Sequence, residues 1–403
     1  MVLLFGRDRS LNLAPASISD YRELAKQRLP RQLFDYIDGG AYAESTLARN
    51  VFDLARLELR QRVMRDVSKI ELGTQIFGQR VSMPVVLGPV GLAGMFARRG
   101  EVQAARAAEK AGVPFCESTV SICGIEEVRA ATRAPFWFQL YVMRDRGYAK
   151  SLLEQAAAAG CPVLVLTVDL PVVGARYRET RNGMTDRVNL AGKVSQYIDF
   201  ALHPGWAWDV GVRGRPHIFG NLATAVPNAD NPMEFRHWID EQFDPSVTWK
   251  DIEWVRLHYP GRVVVKGVLD PEDARAAVAA GVDGIVVSNH GGRQLDGVPA
   301  TASALPSIAE VVGDQTTLLV DGGIRSGLDV LRMLALGANA CLIGRAWAFP
   351  LAARGEAGVT HALSILRREL NVAMALTGTT DVAHVAGDVV SAMAFDRVAG
   401  STP

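Results

Sequence analysis

The sequence predicts an α/β chain folded as a (β/α)8 TIM barrel, with a helical segment before it and a long insertion after the fourth strand. Three observations carry that prediction. Eight short apolar runs, many of them rich in β-branched residues, recur at 83–88, 113–118, 135–142, 162–168, 262–267, 283–288, 317–321 and 339–344. Between most of them lie Ala-, Leu-, Arg- and Glu-rich stretches of helical period, and that alternation implies a parallel sheet. The sixth run, DGIVVS, spills into the polar stretch NHGGRQ (289–294), and a barrel gathers its chemistry at the C-terminal ends of its strands.

In chain order, residues 17–60 read as helices. SISDYRELAKQRLP offers Ser19 as an N-cap and stops at Pro30. RQLFDYIDGGA follows and stops at Gly39-Gly40, and a third helix covers 43–57. Barrel helices read at 99–112, 124–132, 146–160, 270–280, 303–312 and 325–337. A doubly wound sheet is the alternative, but GPVGLAG at 88–94 has the wrong glycine spacing for a dinucleotide turn. The organisation expected is a helical segment over 1–65, a barrel over 66–383 and a tail over 384–403.

About ninety residues separate Asp169 from Arg262, far more than a barrel connection needs. TWKDIEWVRLHY (248–259) reads as the missing barrel helix, which leaves an insertion over 175–247. The long connection holds five of the seven tryptophans, Trp206, Trp208, Trp238, Trp249 and Trp254. Trp and Phe interleaved with Arg and Lys fit an interfacial membrane surface. Composition favours instead a lid whose aromatics pack on the barrel or on a neighbouring subunit, since no clean amphipathic helix is visible.

Bulk composition excludes several classes. Lys+Arg and Asp+Glu balance at 43 each, without the basic excess of a nucleic-acid binder. Cys116, Cys123, Cys161 and Cys341 have no CxxC spacing and no companion histidines, so neither a metal site nor a disulfide scaffold is expected. The apolar start MVLLF is too short for a secretory signal, and no run is long enough to span a membrane.

The strand ends bring chemistry to one mouth. They carry Ser118, Gln139 with Tyr141, Thr167 with Asp169, Lys266, Ser288 with His290 and Arg293, Asp321-Gly322-Gly323 with Arg325, and Gly344-Arg345; Arg176 follows shortly after the fourth. The last two loops hold glycines and arginines where barrels cradle phosphate. Lys266 would be costly in a dry core, so it is expected to face an anion at the mouth. Asp169 is placed to support the His290 imidazole, or else to cap the following turn. Tyr36 and Tyr141 read alone as half-buried aromatics.

With FQLYV, LTVD, VVVKG, SNHGGRQLDG, DGGIRSG and IGR quoted, the chain resembles the FMN-dependent L-2-hydroxy acid oxidising enzymes, among them glycolate oxidase and mandelate dehydrogenase. GPVGLAGMFARRGEVQAARAA, STVSICGIEEV, GARYRE and HPGWAWDVGVRGRPH are most similar to the bacterial, quinone-linked, L-lactate-oxidising branch. The resemblance covers about 17–380 and implies oxidation of L-lactate to pyruvate with FMN as cofactor. It implies His290 as base with Asp169 as its partner. Arg293 and Arg176 would hold the substrate carboxylate with Tyr36 assisting, and Tyr141 would bond the hydroxyl oxygen. Lys266 would lie by the flavin N1–C2 edge, with Ser118, Gln139, Thr167 and Ser288 near the ring. Pro89, Val90 and Gly91 would line it through backbone atoms; glycolate oxidases carry Thr-Ala where this chain has Val90-Gly91. Asp321 would take the ribityl chain, with Gly322, Gly323, Arg325, Gly344 and Arg345 around the phosphate. It also implies quinone as electron acceptor, a homotetramer, and a peripheral place on the cytoplasmic face of the inner membrane through 175–247. Val120 and Val173 leave room for a larger acid, so mandelate dehydrogenase or a soluble, peroxide-producing oxidase is the alternative.

Overall fold

The computed structural model describes residues 14–185, 189–223 and 242–391. Trp238, parts of the expected insertion (186–188 and 224–241) and most of the expected tail (392–403) lie outside the described residues.

All eight expected barrel strands form: β3 (Val85–Leu87), β4 (Cys116–Ser118), β5 (Trp137–Tyr141), β6 (Val163–Thr167), β7 (Arg262–Val268), β8 (Gly284–Val287), β9 (Thr317–Val320) and β10 (Ala340–Ile343). They run parallel in the order β3-β10-β9-β8-β7-β6-β5-β4. A bridge between Leu87 and Phe115 joins the two ends and closes the barrel. Both faces of the sheet are buried, and alternation along each strand divides them. Val86, Cys116, Val165, Val264, Val286, Leu319 and Leu342 fill the interior. Val85, Leu87, Leu164, Val265, Val287, Leu318 and Ile343 pack outward in the layer that the helices cover. Period 2 then dictates what stands above the inner layer. Two residues beyond Val165, Val264, Val286 and Leu319 come Thr167, Lys266, Ser288 and Asp321, so the polar groups face into the mouth.

The bottom is plugged by an element that periodicity did not announce. A hairpin, β1 (Thr74–Ile76) and β2 (Gln79–Val81), puts Ile76 and Val81 into the interior cluster. Its two-residue turn, Phe77-Gly78, has both residues at positive φ, as a type I′ turn requires. Phe77 packs on Trp137 with ring centroids 5.7 Å apart. A three-residue strand is too short to show a period, which is why the sequence hid it.

Three helices precede the barrel: α1 (Ile18–Arg28), α2 (Arg31–Asp38) and α3 (Ser45–Ala55). The N-cap of α1 is Ser17, not Ser19. Ser17 and Asp20 form a reciprocal capping box, which the acid three residues after Ser17 makes possible. The helix Arg345–Thr377 follows β10, broken at Arg354-Gly355. Tyr21 of α1 meets His361 of this helix, Oη to Nδ1 at 2.8 Å. Periodicity did not reveal this helix, because Pro350 and Gly355 interrupt its pattern and its first part is buried all round.

The described part of the insertion meets the barrel. Trp206 is buried and donates from Nε1 to the Met95 carbonyl at 2.8 Å, and Trp249 and Trp254 pack against the main core. Trp249 and Trp254 belong to the stretch expected as a barrel helix, which forms over Asp251–His258, while Trp206, within the insertion, follows the lid expectation. The helix Leu190–Ala201 does not: Leu190, Val194, Tyr197 and Ile198 are exposed, as are Leu202 and Trp208 beyond it. Among the described residues, no helix is long and apolar enough to cross a membrane.

Candidate active site

A cavity of about 550 Å³ opens at the C-terminal ends of the strands. Tyr36, Pro89, Val90, Gly91, Tyr141, Thr167, Arg176, Lys266, His290 and Arg293 line it, as do Asp321 to Gly323, Arg325, Gly344 and Arg345. Ser118, Gln139, Asp169 and Ser288 stand behind the lining: Ser288 bonds Lys266, Asp169 bonds His290, and Ser118 accepts from the Val120 N–H while bonding Gln139 behind it.

The loop after β8 takes an unusual path. His290, Gly291 and Gly292 all lie at positive φ, 56°, 63° and 76°. For the histidine this is a left-handed backbone that most side chains avoid, of the kind that concentrates at functional sites. Gly292 is obligatory for space as well, since a Cβ there would lie 2.6 Å from the Leu47 nitrogen of α3. A buried pair behind the loop fixes it: Asn289 and Asn50 exchange two amide hydrogen bonds of 2.8 Å.

His290 Nδ1 lies 2.8 Å from Asp169 Oδ1. Burial pushes the imidazole below its ordinary pKa, helped by Lys266 and Arg176 and opposed by Asp169. His290 is therefore neutral at neutral pH and able to take a proton. Burial alone would raise the Asp169 carboxyl, but His290 and Lys266 outweigh it and hold the group below its usual range. Lys266 is buried too; Asp321 and Asp169 overcome the cost of burial and raise its pKa, keeping it cationic. Its Nζ donates to Ser288 Oγ at 2.9 Å and pairs with Asp321 Oδ2 at 3.2 Å. Burial pushes Tyr141 above its ordinary pKa, which keeps its hydroxyl protonated and able to donate.

Two guanidinium groups stand together. Arg293 Nη1 donates to the carbonyls of Tyr36 and Gly39 at 2.5 and 2.9 Å, and its Cζ lies 4.7 Å from the Tyr36 ring centroid. Arg176 Nε donates to the Arg293 carbonyl at 3.4 Å. Glu179, which the sequence reading passed over, approaches both arginines with Oε1. The signal for it was an acid three residues after Arg176 on a short helix. Phe243 was also missed; it sits edge-on to Tyr141 at 5.2 Å and, with Val120, Leu170 and Val173, supplies an apolar wall.

The residues fit FMN. Gln139 Nε2 and Asp321 Oδ1 are buried without a hydrogen-bond partner in the protein, a donor and an acceptor of the sort that a flavin ring and a ribityl hydroxyl satisfy. The loops after β9 and β10 bring glycines and arginines together where the sequence predicts a phosphate. Gly322 and Gly323 are at positive φ, and a Cβ on Gly323 would lie 2.0 Å from the Asn50 carbonyl oxygen. Burial pushes Arg325 down to about 10 and Arg345 well below its ordinary range, where Arg325 and Arg293 add to the effect. Guanidinium groups stay protonated in proteins, so two buried positive charges stand in these loops. Arg345 has a second duty, donating to the carbonyls of Ile37, Gly39 and Gly291 and so tying α2 to the histidine loop.

Behind β4, burial raises the Glu117 carboxyl to about 8. Neutral at neutral pH, it accepts from Asn221 Nδ2 at 3.1 Å and anchors the returning insertion to the barrel.

Comparison with known proteins agrees with this geometry. The family model described as FMN-dependent dehydrogenase matches residues 25–392. The chain is similar to the L-lactate dehydrogenase of Caulobacter vibrioides (strain NA1000 / CB15N), at 60% identity over 92% of this chain and 96% of that one. It is 54% identical to the L-lactate dehydrogenase of Xanthomonas oryzae pv. oryzae (strain PXO99A), over 96% and 99% of the two chains. Among solved structures it is similar to the monotopic membrane protein (S)-mandelate dehydrogenase, with a TM-score of 0.87, 35% identity and coverage of 94% and 99%. It is also similar to a mandelate oxidase, with a TM-score of 0.77, 37% identity and coverage of 92% and 96%.

Proposed function

The chain belongs to the FMN-dependent dehydrogenase family, and from that premise we propose that it oxidises L-lactate to pyruvate and passes the electrons to a quinone at a membrane surface. One observation carries the chemistry: a neutral imidazole, backed by a carboxylate at 2.8 Å, shares a cavity with two guanidinium groups. Removing two electrons from a 2-hydroxy acid needs a base, an anion anchor and an electron acceptor. FMN supplies the acceptor when bound, since no side chain takes up two electrons. Gln139, Lys266, Asp321, Gly323, Arg325 and Arg345 are the residues to hold it.

Arg176 and Arg293 bind the substrate carboxylate and fix its orientation. Tyr36 stacks on Arg293 and steadies it. Tyr141 donates a hydrogen bond to the hydroxyl oxygen. His290 accepts the substrate proton on Nε2, and Asp169 holds the tautomer and stabilises the imidazolium that results. Lys266 puts a fixed positive charge where negative charge develops on oxidation.

Lactate rests on the names of the relatives at 54–60% identity. A larger acid is the second reading, favoured by Val120 and Val173 in the cavity wall and by neighbours named for mandelate. Membrane contact is supported by the exposed apolar residues of Leu190–Ala201 and by a neighbour described as monotopic. A homotetramer remains the expected assembly, to be read by sedimentation. The test is the purified protein under anaerobic conditions. Its yellow flavin spectrum is expected to bleach with L-lactate and to recover on addition of a quinone analogue. A colourless protein, or a flavin that L-lactate leaves oxidised, overturns the proposal. Comparing kcat/KM for L-lactate and mandelate, each with oxygen and with the quinone analogue, separates the two readings.

A further inference from the structure

We propose that Glu179 is a positioning residue of the carboxylate clamp, holding Arg176 and Arg293 at the spacing that receives the substrate. The inference rests on the reading of those arginines given above and goes beyond it. Glu179 is 1% exposed. A single oxygen, Oε1, lies 3.4 Å from Arg176 Nη1 and 3.2 Å from Arg293 Nη2. The two arginine side chains are themselves only 10% and 13% exposed.

Two guanidinium groups this close and this dry repel each other, because little water screens them. A carboxylate oxygen between them turns the repulsion into two attractions and sets their separation. The remaining contacts leave each arginine little freedom. Arg293 is held from the far side by the Tyr36 and Gly39 carbonyls, and Arg176 by the Arg293 carbonyl. Glu179 also sets the local charge. Without that oxygen the bare pair would move apart and lose the fork that an anion meets. The short helix Tyr177–Arg181 puts the acid one turn after Arg176, so the sequence GARYRE encodes an anion site together with the group that tunes it.

The test uses the FMN-loaded full chain and variants at Glu179, with oxalate as the probe. Its dissociation constant is read from perturbation of the flavin absorbance, without turnover. Glu179→Ala is expected to weaken oxalate binding at least tenfold and to raise KM for L-lactate in parallel, with FMN still bound. Glu179→Gln keeps an acceptor oxygen in place without its charge and is expected to restore part of the binding. An oxalate constant within twofold of the parent in Glu179→Ala overturns the proposal, and so does equal loss in both variants. Where Glu179→Ala fails to fold, Glu179→Asp replaces it: drawing the carboxylate back by one methylene is expected to weaken oxalate more than the Gln substitution does, and the reverse order overturns the proposal. If no 2-hydroxy acid bleaches the parent flavin while oxalate still binds it in the expected variant order, the functional reading fails and the clamp assignment stands.

Discussion

Asp169 meets His290 from the end of a different strand: its Oδ1 lies 2.8 Å from Nδ1, while its Oδ2 is buried without a hydrogen-bond partner. The first oxygen fixes the imidazole tautomer and leaves Nε2 free to act as base. The second keeps a desolvated negative charge beside the ring.

That relationship sets a pH dependence. The base form of His290 is the neutral imidazole, and burial lowers its pKa below the ordinary value. kcat/KM for L-lactate is expected to stay level through neutral pH and to fall only on the acid side, below the ordinary imidazole range. Asp169 acts to raise that pKa, so Asp169→Asn moves the acid limb lower still and cuts kcat/KM by roughly 10²-fold. A pH–rate profile of the variant checks both parts. An unchanged acid limb would show that the pair is not coupled.

Replacing the base itself must respect its left-handed backbone. Asparagine tolerates that conformation better than glutamine does, so His290→Asn is the cleaner variant. Turnover should fall by about 10⁴-fold, with FMN bound at one per chain, as absorbance and single-turnover reduction would record.

Arg293 is a structural tie as well as the proposed anion anchor. Lysine cannot reproduce the planar fork that meets Tyr36, Gly39 and Glu179 at once. Arg293→Lys is expected to raise KM for L-lactate about 10- to 100-fold and also to lower Tm. Steady-state kinetics beside a melting curve tests the double effect.

Gly323→Ala meets two obstacles at once, a φ of +80° and a carbonyl oxygen 2.0 Å from the new Cβ. The loop must shift away from α3 and carry the proposed anion cradle with it. FMN affinity should fall at least tenfold, measured by fluorescence of the released flavin, and Tm should fall with it.

The exposed apolar face of Leu190–Ala201 separates membrane partition from chemistry. Leu190→Glu with Ile198→Glu is expected to release the protein from lipid vesicles while leaving turnover with a soluble dye unchanged. A vesicle flotation assay beside the dye assay decides it, and continued flotation would point to another surface.

The sequence by itself determined the barrel, its eight strands and most of its helices, because a strand buried on both faces leaves a run of β-branched residues that nothing else explains. It also determined which strand ends carry titratable groups. Inward orientation follows from period 2: once Val264 and Val286 fill the interior, Lys266 and Ser288 must face the mouth. What local pattern cannot hold is contact between distant segments. Only tertiary structure brought Glu179 to both arginines, set Asn50 against Asn289, turned Arg345 into a tie for α2 and plugged the barrel with Phe77 and Trp137. The helix Leu190–Ala201 belongs there too, since only in the folded chain are its apolar residues seen to be left uncovered. The reason is the same in each case: periodicity reports burial along one chain, while charge neutralisation and close approach depend on partners that the fold alone makes neighbours.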